Sequence, residues 1–362
     1  MINLDIAHRR LHNQHITRRT LETPQALVEW LGAVQAQDFA AAKWALGLRL
    51  QGVADDDIER AFTDGAILRT HVMRPTWHFV SPADIRWLLA LTAPRVHAAS
   101  AYYNRRLELD DALFKRTNAV LANVLQGGKQ LTRDELAYAL QQEGIVTDGE
   151  QRVTYIMMRA ELDGIICSGA RRGKQFTYAL LDERAPQARM LDRDEALAAL
   201  TMRYFTSHGP ATVQDFVWWS GLTAADAREG LTLVTSYLSH ESIGEQTYWF
   251  PPSMSPAQDL SQTAYLLPNY DEYAVGYTDR SAIFDALHTS KLDPRAGLLT
   301  NTMVLDGQVI GTWKRTFKKN IVVIEANPFV PLSNTETCAF ASSANRYSTF
   351  LHMPVYSPWQ AE

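Results

Sequence analysis

The stretch that decides the fold runs from Pro24 to Val80, PQALVEWLGAVQAQDFAAAKWALGLRLQGVADDDIERAFTDGAILRTHVMRPTWHFV. From Pro24 to Val34 the apolar positions Leu27, Trp30, Leu31 and Val34 recur at i, i+3, i+4 and i+7, one stripe of a helix with proline in its first turn. Asp38 is placed to cap a second helix through Ala45, and Asp55–Phe62 reads as a third. Ile67–His71 and Thr76–Val80 are then β-leaning runs joined around Arg74-Pro75. Three helices followed by a hairpin is the element order of a winged helix.

Moving outward, the same order recurs. Thr132-Arg133-Asp134-Glu135 is a capping box opening a helix that ends near Gly144. Gln151–Leu162 continues the pattern, and Gly164–Ser168 and Gln175–Leu180 form strands around the basic loop Gly169–Lys174, the tip of a second wing. A third round comprises Glu195–Ser207, Thr212–Trp219 and Ala224–Gly230, then short runs around Leu233–Leu238 and Gln246–Phe250. Residues 182–195 read as a linker. Beyond Pro251-Pro252 the rhythm turns β-like: Thr263–Leu267, Tyr273–Tyr277, Met303–Leu305, Val309–Trp313 and Ile321–Glu325, with a tight turn at Asp306-Gly307. The expected organisation is an α+β chain of three tandem winged-helix units, residues 1–82, 83–190 and 191–255, followed by a small C-terminal β-barrel-like domain, residues 256–362.

Composition narrows the function. At 362 residues and 46% hydrophobic the chain can bury two or three cores of ~150 residues each. Its apolar runs fall far short of the roughly 20 residues of a membrane span, so no membrane association is expected. MINLDIAHRR lacks a secretory apolar core and the two cysteines, Cys167 and Cys338, make no disulfide framework, which points to a cytoplasmic protein, expected to be a monomer. The net charge of −5 is unevenly spread. Residues 1–20 (Arg9, Arg10, Arg18, Arg19), 169–175 (Arg171, Arg172, Lys174) and 301–320 (Lys314, Arg315, Lys318, Lys319) carry a surplus of nine positive charges, so the remainder carries −14. Such polarisation fits either solvated loops or a local basic face for an anionic polymer.

Standard phosphate-loop, dinucleotide and hydrolase signatures are missing. His8, His12 and His15 share a helical face, but Arg9 and Arg10 beside them would repel a cation, so neither metal nor cofactor is expected. The informative element is Gln35-Ala36-Gln37. On a continuous helix these amides would lie ~200° apart. If the first helix stops at Gln35 and Asp38 caps the next, both amides can turn to one cavity and hold a water without acting as strong bases. The spacing is equally compatible with two glutamines that satisfy backbone groups at a helix corner. His78 reads as a core or interface histidine, and Pro268–Tyr273, with Asp271 and Glu272, as a structural turn.

One further signal spans nearly the whole chain. Val34–Gln37, Trp44–Arg49, Met73–Val80, His208–Thr212 with Asp215–Leu222, Leu267–Tyr273, and Asp306-Gly307 through Gly311–Arg315 together resemble, in order, the AlkZ-like winged-helix DNA glycosylases. The resemblance implies a C-shaped arrangement around duplex DNA carrying alkylated guanine. It assigns catalysis to Gln35 and Gln37, in the Gln-apolar-Gln branch that removes N7-alkylguanines and in specialised members unhooks interstrand crosslinks. It also implies a minor-groove hairpin on Thr302–Trp313, turning at Asp306-Gly307 and including Trp313. Lys314, Arg315, Lys318 and Lys319 would grip phosphates there, with Arg9, Arg10, Arg171, Arg172 and Lys174 on the other basic segments. Pro75-Thr76-Trp77 departs from the family's more usual Gly-Thr-Leu. The competing reading is a non-catalytic winged-helix DNA-binding protein or regulator, which has no use for two amides at an inter-helix corner; an enzyme acting on a small molecule is the third.

Overall fold

A computed structural model describes residues 3–253, 263–284 and 300–359; the expected boundary between residues 255 and 256 lies outside the described residues. Helix α1 (Asn3–Asn13) turns Ile6, Ala7 and Leu11 inward. Helix α2 (Pro24–Leu31) begins as its sequence dictates, with the Thr23 hydroxyl accepting the Ala26 N–H. It stops at Leu31, earlier than the apolar stripe suggests, because Gly32 adopts φ +80° and reverses the chain. The backbone then extends as β1 (Val34–Gln35) before Asp38 caps α3 (Phe39–Arg49) by accepting the Ala41 N–H at 3.0 Å. Helix α4 (Asp55–Asp64) and the hairpin β2 (Leu68–Val72), β3 (Arg74–Val80) complete a unit whose sheet order is β1-β3-β2.

Two helices that the sequence reading did not isolate follow, α5 (Ile85–Arg106) and α6 (Asp111–Leu125). Pro94 lies inside α5, where it interrupts any simple helical signature. After α6 come β4 (Leu131–Thr132), α7 (Arg133–Gln142) with its Thr132/Glu135 capping box, α8 (Glu150–Leu162), β5 (Ile166–Ser168) and β6 (Thr177–Leu180), in sheet order β4-β6-β5. A short α9 (Leu181–Arg184) leads to α10 (Arg193–His208), α11 (Val213–Ser220), α12 (Ala224–Val234), β7 (Ser239–Ile243) and β8 (Gln246–Phe250). Ala211 bridges Trp249 on β8, so a single residue stands where β1 and β4 stand in the earlier units. One arrangement, helix, strand, two helices and hairpin with the first strand against the third, thus occurs three times.

The C-terminal region is an open five-stranded sheet, order β13-β12-β11-β10-β9, built from β9 (Ala264–Leu267), β10 (Asn301–Leu305), β11 (Gln308–Lys318), β12 (Ile321–Pro328) and β13 (Val355–Tyr356). It is a half-barrel rather than a closed barrel. Residues Tyr273–Tyr277 are not a strand: Asp271 caps a helical turn, α13 (Glu272–Val275). A helix absent from the expectation, α14 (Asn334–Leu351), opens on a Ser333/Glu336 capping box.

Packing explains the junction where residues 34–38 lie. Trp44 of α3 is buried against Tyr347 and Phe350 of α14, and its indole N–H donates to Leu266 O at 2.7 Å. The first unit and the C-terminal sheet therefore share one apolar core, which runs from Leu27 and Phe62 to Met303 and Val322. A second core joins β2 with α5 and α10 to α12, while the middle unit keeps its own. Each fully buried Leu or Phe contributes about 1.5–3 kcal/mol to holding these bodies together.

Candidate active site at Gln35-Ala36-Gln37

The end of α2 at Leu31 changes the geometry of the two amides. The strand ends at Gln35 and the chain bends at Gln37, so neither amide is bound by the ~200° separation that a continuous helix would impose. Both side-chain oxygens accept hydrogen bonds from β3: Gln35 Oε1 from Arg74 Nη2 at 3.1 Å, and Gln37 Oε1 from the Trp77 N–H at 3.4 Å. The site's two halves nevertheless differ. Gln35 is buried, and because arginine offers only donors its amide is fixed with oxygen toward Arg74 and NH2 turned away. Gln37 is exposed and held by one long, weak bond, so it can exchange that partner for another.

Behind Gln35 stands a carboxylate that the sequence reading took for part of a turn. Glu272 is buried, and its Oε1 accepts the Gln35 N–H at 2.9 Å. Its Oε2 accepts the Trp219 indole N–H at 2.9 Å and faces His208 Nε2 at 3.4 Å. Burial alone would raise its pKa; the hydrogen bonds from His208 and the Gln35 N–H and the charge of Arg74 reverse this and hold it at about 2. Arg74 also donates to Trp219 O at 2.9 Å. His78, opposite Gln35 in the β1–β3 register, is buried; desolvation and the Arg74 charge push its pKa down to about 3 and keep it neutral. It is a core histidine, as its apolar neighbours suggest. Asp271, the neighbouring acid, is wholly structural: it caps α13 and grips Arg49 with both oxygens at 2.7 and 2.8 Å.

The basic residues divide sharply. Arg10 is 1% exposed, donates to Pro210 O and lies 3.6 Å over the Tyr277 ring, so it cannot reach a surface ligand. The reason is helical phase: it falls on the same face of α1 as Ile6 and Asn13. Arg171 is held by Glu59 at 3.1 Å and lies against Phe39 and Phe176, joining two units. Arg315 bonds Tyr347 OH and faces Asp38 at 3.9 Å, and Trp313 is buried with its indole on Leu267 O. Trp313 is therefore closed to DNA, and Arg315 is half-buried against these partners. The Asp306-Gly307 turn does not project either. His8 bonds Asp306 O at 2.9 Å, Tyr273 OH bonds Gly307 O at 2.7 Å, and a Cβ on Gly307 would meet Ala7 and His8 at 3.1 Å.

The projecting turn is the next one, between β11 and β12. Lys314, Lys318 and Lys319 are exposed there, with Phe317 52% exposed between them. Lys174 and Arg172 are also exposed, Arg172 in a surface pair with Glu135, and Arg9 is half-buried beside Asp5. His8, His12 and His15 do not converge: His15 bonds Arg18 O, and no cluster of three metal-ligating side chains occurs among the described residues. Nor is any helix among them long and apolar enough to cross a membrane.

With this geometry established, three similarities bear on it. The profile of a family described as DNA glycosylase AlkZ-like matches residues 28–350. An interstrand DNA cross-link repair glycosylase of Streptomyces sahachiroi is 25% identical over 321 residues, 84% of this chain and 85% of that protein. The solved structure of Streptomyces sahachiroi DNA glycosylase AlkZ superposes with a TM-score of 0.81, covering 98% of each chain at 21% identity.

Proposed function

The chain belongs to the AlkZ-like DNA glycosylase family, and from that premise we propose that it is a monofunctional DNA glycosylase that hydrolyses the N-glycosidic bond of N7-alkylated guanine. The observation that carries this reading is the unequal pair of amides: Gln35 locked by Arg74 and Glu272, Gln37 exposed beside it. N7-alkylation leaves guanine cationic, so the base departs without protonation and the sugar becomes oxocarbenium-like. Water then needs positioning more than deprotonation. Gln37 touches that water; Gln35 backs it from a fixed position. The water oxygen bonds C1′, its proton passes to solvent, and the alkylated base leaves neutral, giving an abasic site.

Unhooking of an interstrand crosslink is part of the same proposal. The Streptomyces sahachiroi relative is named for that activity, and the exposure of Gln37 gives a bulky adduct access. The three helix–hairpin units read as winged helices, within the division 1–82, 83–190, 191–255 and 256–362, and as a C-shaped cradle for duplex DNA. The threefold recurrence of strand order supports this. Phosphate contacts are reassigned to the exposed cations Arg172, Lys174, Lys314, Lys318 and Lys319 and the half-buried Arg9, with Phe317 near the tip of the inserted hairpin.

The test uses duplexes bearing N7-methylguanine or a nitrogen-mustard crosslink. Alkali-labile abasic sites and unhooked strands are the expected products. Salt-sensitive DNA binding without either product would leave the non-catalytic reading in its place.

A further inference from the structure

A recess of about 350 Å³ lies between the β2–β3 hairpin of the first unit and the β5–β6 hairpin of the second. Its lining sets Arg69, Arg133 and Lys174 against one acid, Asp134, beside Trp77, Phe176 and Tyr178. Arg69 is the unusual member. It is 8% exposed, and its guanidinium carbon lies 4.3 Å from the Trp77 ring centroid and 4.6 Å from that of Phe176. Its Nε donates to Ala36 O at 3.0 Å, and its backbone N–H donates to Ser168 Oγ at 2.8 Å.

Among the described residues its two terminal nitrogens have no hydrogen-bond partner, and no carboxylate comes within ion-pair range of it. Glu161, whose charge acts on it from outside ion-pair range, bonds His71. Desolvation lowers the Arg69 pKa to about 10, which leaves it a cation at neutral pH. A guanidinium clamped against two rings with Nε already used presents its terminal N–H groups as a rigid fork, matched to two oxygens of one anion. A buried cation with no carboxylate paired to it is costly, and the exposed Lys174 beside it adds to the positive charge of the recess.

We propose that this recess is a phosphate site, in which two oxygens of a phosphate ester take the terminal nitrogens of Arg69 and the outer oxygen meets Lys174 and Arg133. The same guanidinium holds the carbonyl of Ala36, so an occupied site braces the peptide between Gln35 and Gln37. The inference stands whether or not the chain excises a base. Its ligand is either a backbone phosphate of DNA or a small free phosphate, and the two give different results below.

The test is ¹⁹F NMR of protein labelled with 5-fluorotryptophan, the Trp77 resonance being assigned with W77F. Inorganic phosphate, titrated at constant ionic strength against chloride, should move that resonance saturably in the wild type and not in Arg69→Gln. Lys174→Ala, at an exposed position that leaves the fold untouched, should weaken the phosphate affinity severalfold. A short unmodified duplex that moves the same resonance, and is displaced from it by phosphate, identifies a DNA phosphate as the ligand. A duplex that leaves it still while phosphate moves it identifies a small phosphate compound. No saturable shift with phosphate, or an affinity unchanged in both variants, would overturn the proposal.

Discussion

The carboxylate of Glu272 accepts the backbone N–H of Gln35 at 2.9 Å, tying β1 to a helical turn 237 residues later in the chain. The same carboxylate takes the Trp219 indole N–H, so three parts of the chain meet on one buried acid. The position of the Gln35 amide is therefore set from outside its own unit.

Replacing Glu272 by Gln keeps the shape and removes the charge. A glutamine there must turn its NH2 either toward the Gln35 N–H or toward the Trp219 N–H and His208, and a buried donor left unpaired costs about 1–3 kcal/mol. E272Q should lose stability by that amount in denaturant unfolding and release N7-methylguanine more slowly, with unchanged affinity for the duplex. Wild-type stability and rate together would show that Glu272 does not hold Gln35.

Acid lability should begin with the histidines rather than the carboxylates. His78 and His208 are buried and their folded pKa values lie below the ordinary 6.5, His78 at about 3. Below pH 6.5 the unfolded chain takes up protons that the folded chain refuses, so stability falls as pH falls, by about 1.4 kcal/mol per pH unit for each such histidine. Glu272, held at about 2, adds loss only below about 4.5, where the unfolded carboxylate protonates. Melting temperature measured from pH 8 to 4 should already decline between 6.5 and 5, and less steeply in His78→Gln.

The two neighbouring hairpin turns should separate stability from DNA affinity. Gly307→Ala places a Cβ against Ala7 and His8 at φ +83°, and should cost about 1–2 kcal/mol of stability. Lys318→Ala with Lys319→Ala should leave the melting temperature unchanged and reduce the slope of log K against log salt by about two. A salt slope altered by G307A instead would return the DNA contact to the Asp306-Gly307 turn.

Arg10 should behave as a core residue. It is buried with Asp215 at 3.8 Å and the Tyr277 ring beneath it, and removing it takes a cation from beside a buried acid, loses the bond to Pro210 O and opens a cavity. Arg10→Ala should destabilise by about 3–5 kcal/mol, while Arg9→Ala, at a half-buried surface pair, should change stability by less than about 1 kcal/mol.

Much of this organisation was legible because local rules and the fold agree. The caps at Asp38 and Thr132 form where their side chains predict, and the β2–β3 and β5–β6 hairpins fall where β-branched runs meet turns. Helix α5 escaped because Pro94 breaks its pattern, and α13 because Glu272–Val275 is too short to show a period. Glu272 and Arg74 could not be found by spacing, since their importance comes from contacts with Gln35 made across the fold. The amide pair at Gln35 and Gln37 and the non-helical junction before Asp38 were visible, but the earlier helix stop was not: the stop at Gly32 depends on a positive φ that the apolar stripe conceals. Arg10 and Trp313 misled for one reason. Charge suggested a DNA contact for Arg10 and the family resemblance one for Trp313, and the phase of α1 and of β11 turned each inward.

The central claim is that the exposed amide of Gln37 performs the hydrolysis that the buried amide of Gln35 supports, and it is tested most directly by base release from an N7-methylguanine duplex under single-turnover conditions, wild type against Gln37→Ala. The account predicts that Q37A binds the duplex with wild-type affinity, unfolds at the wild-type temperature and releases no base above the spontaneous rate. Release by Q37A at the wild-type rate would contradict it.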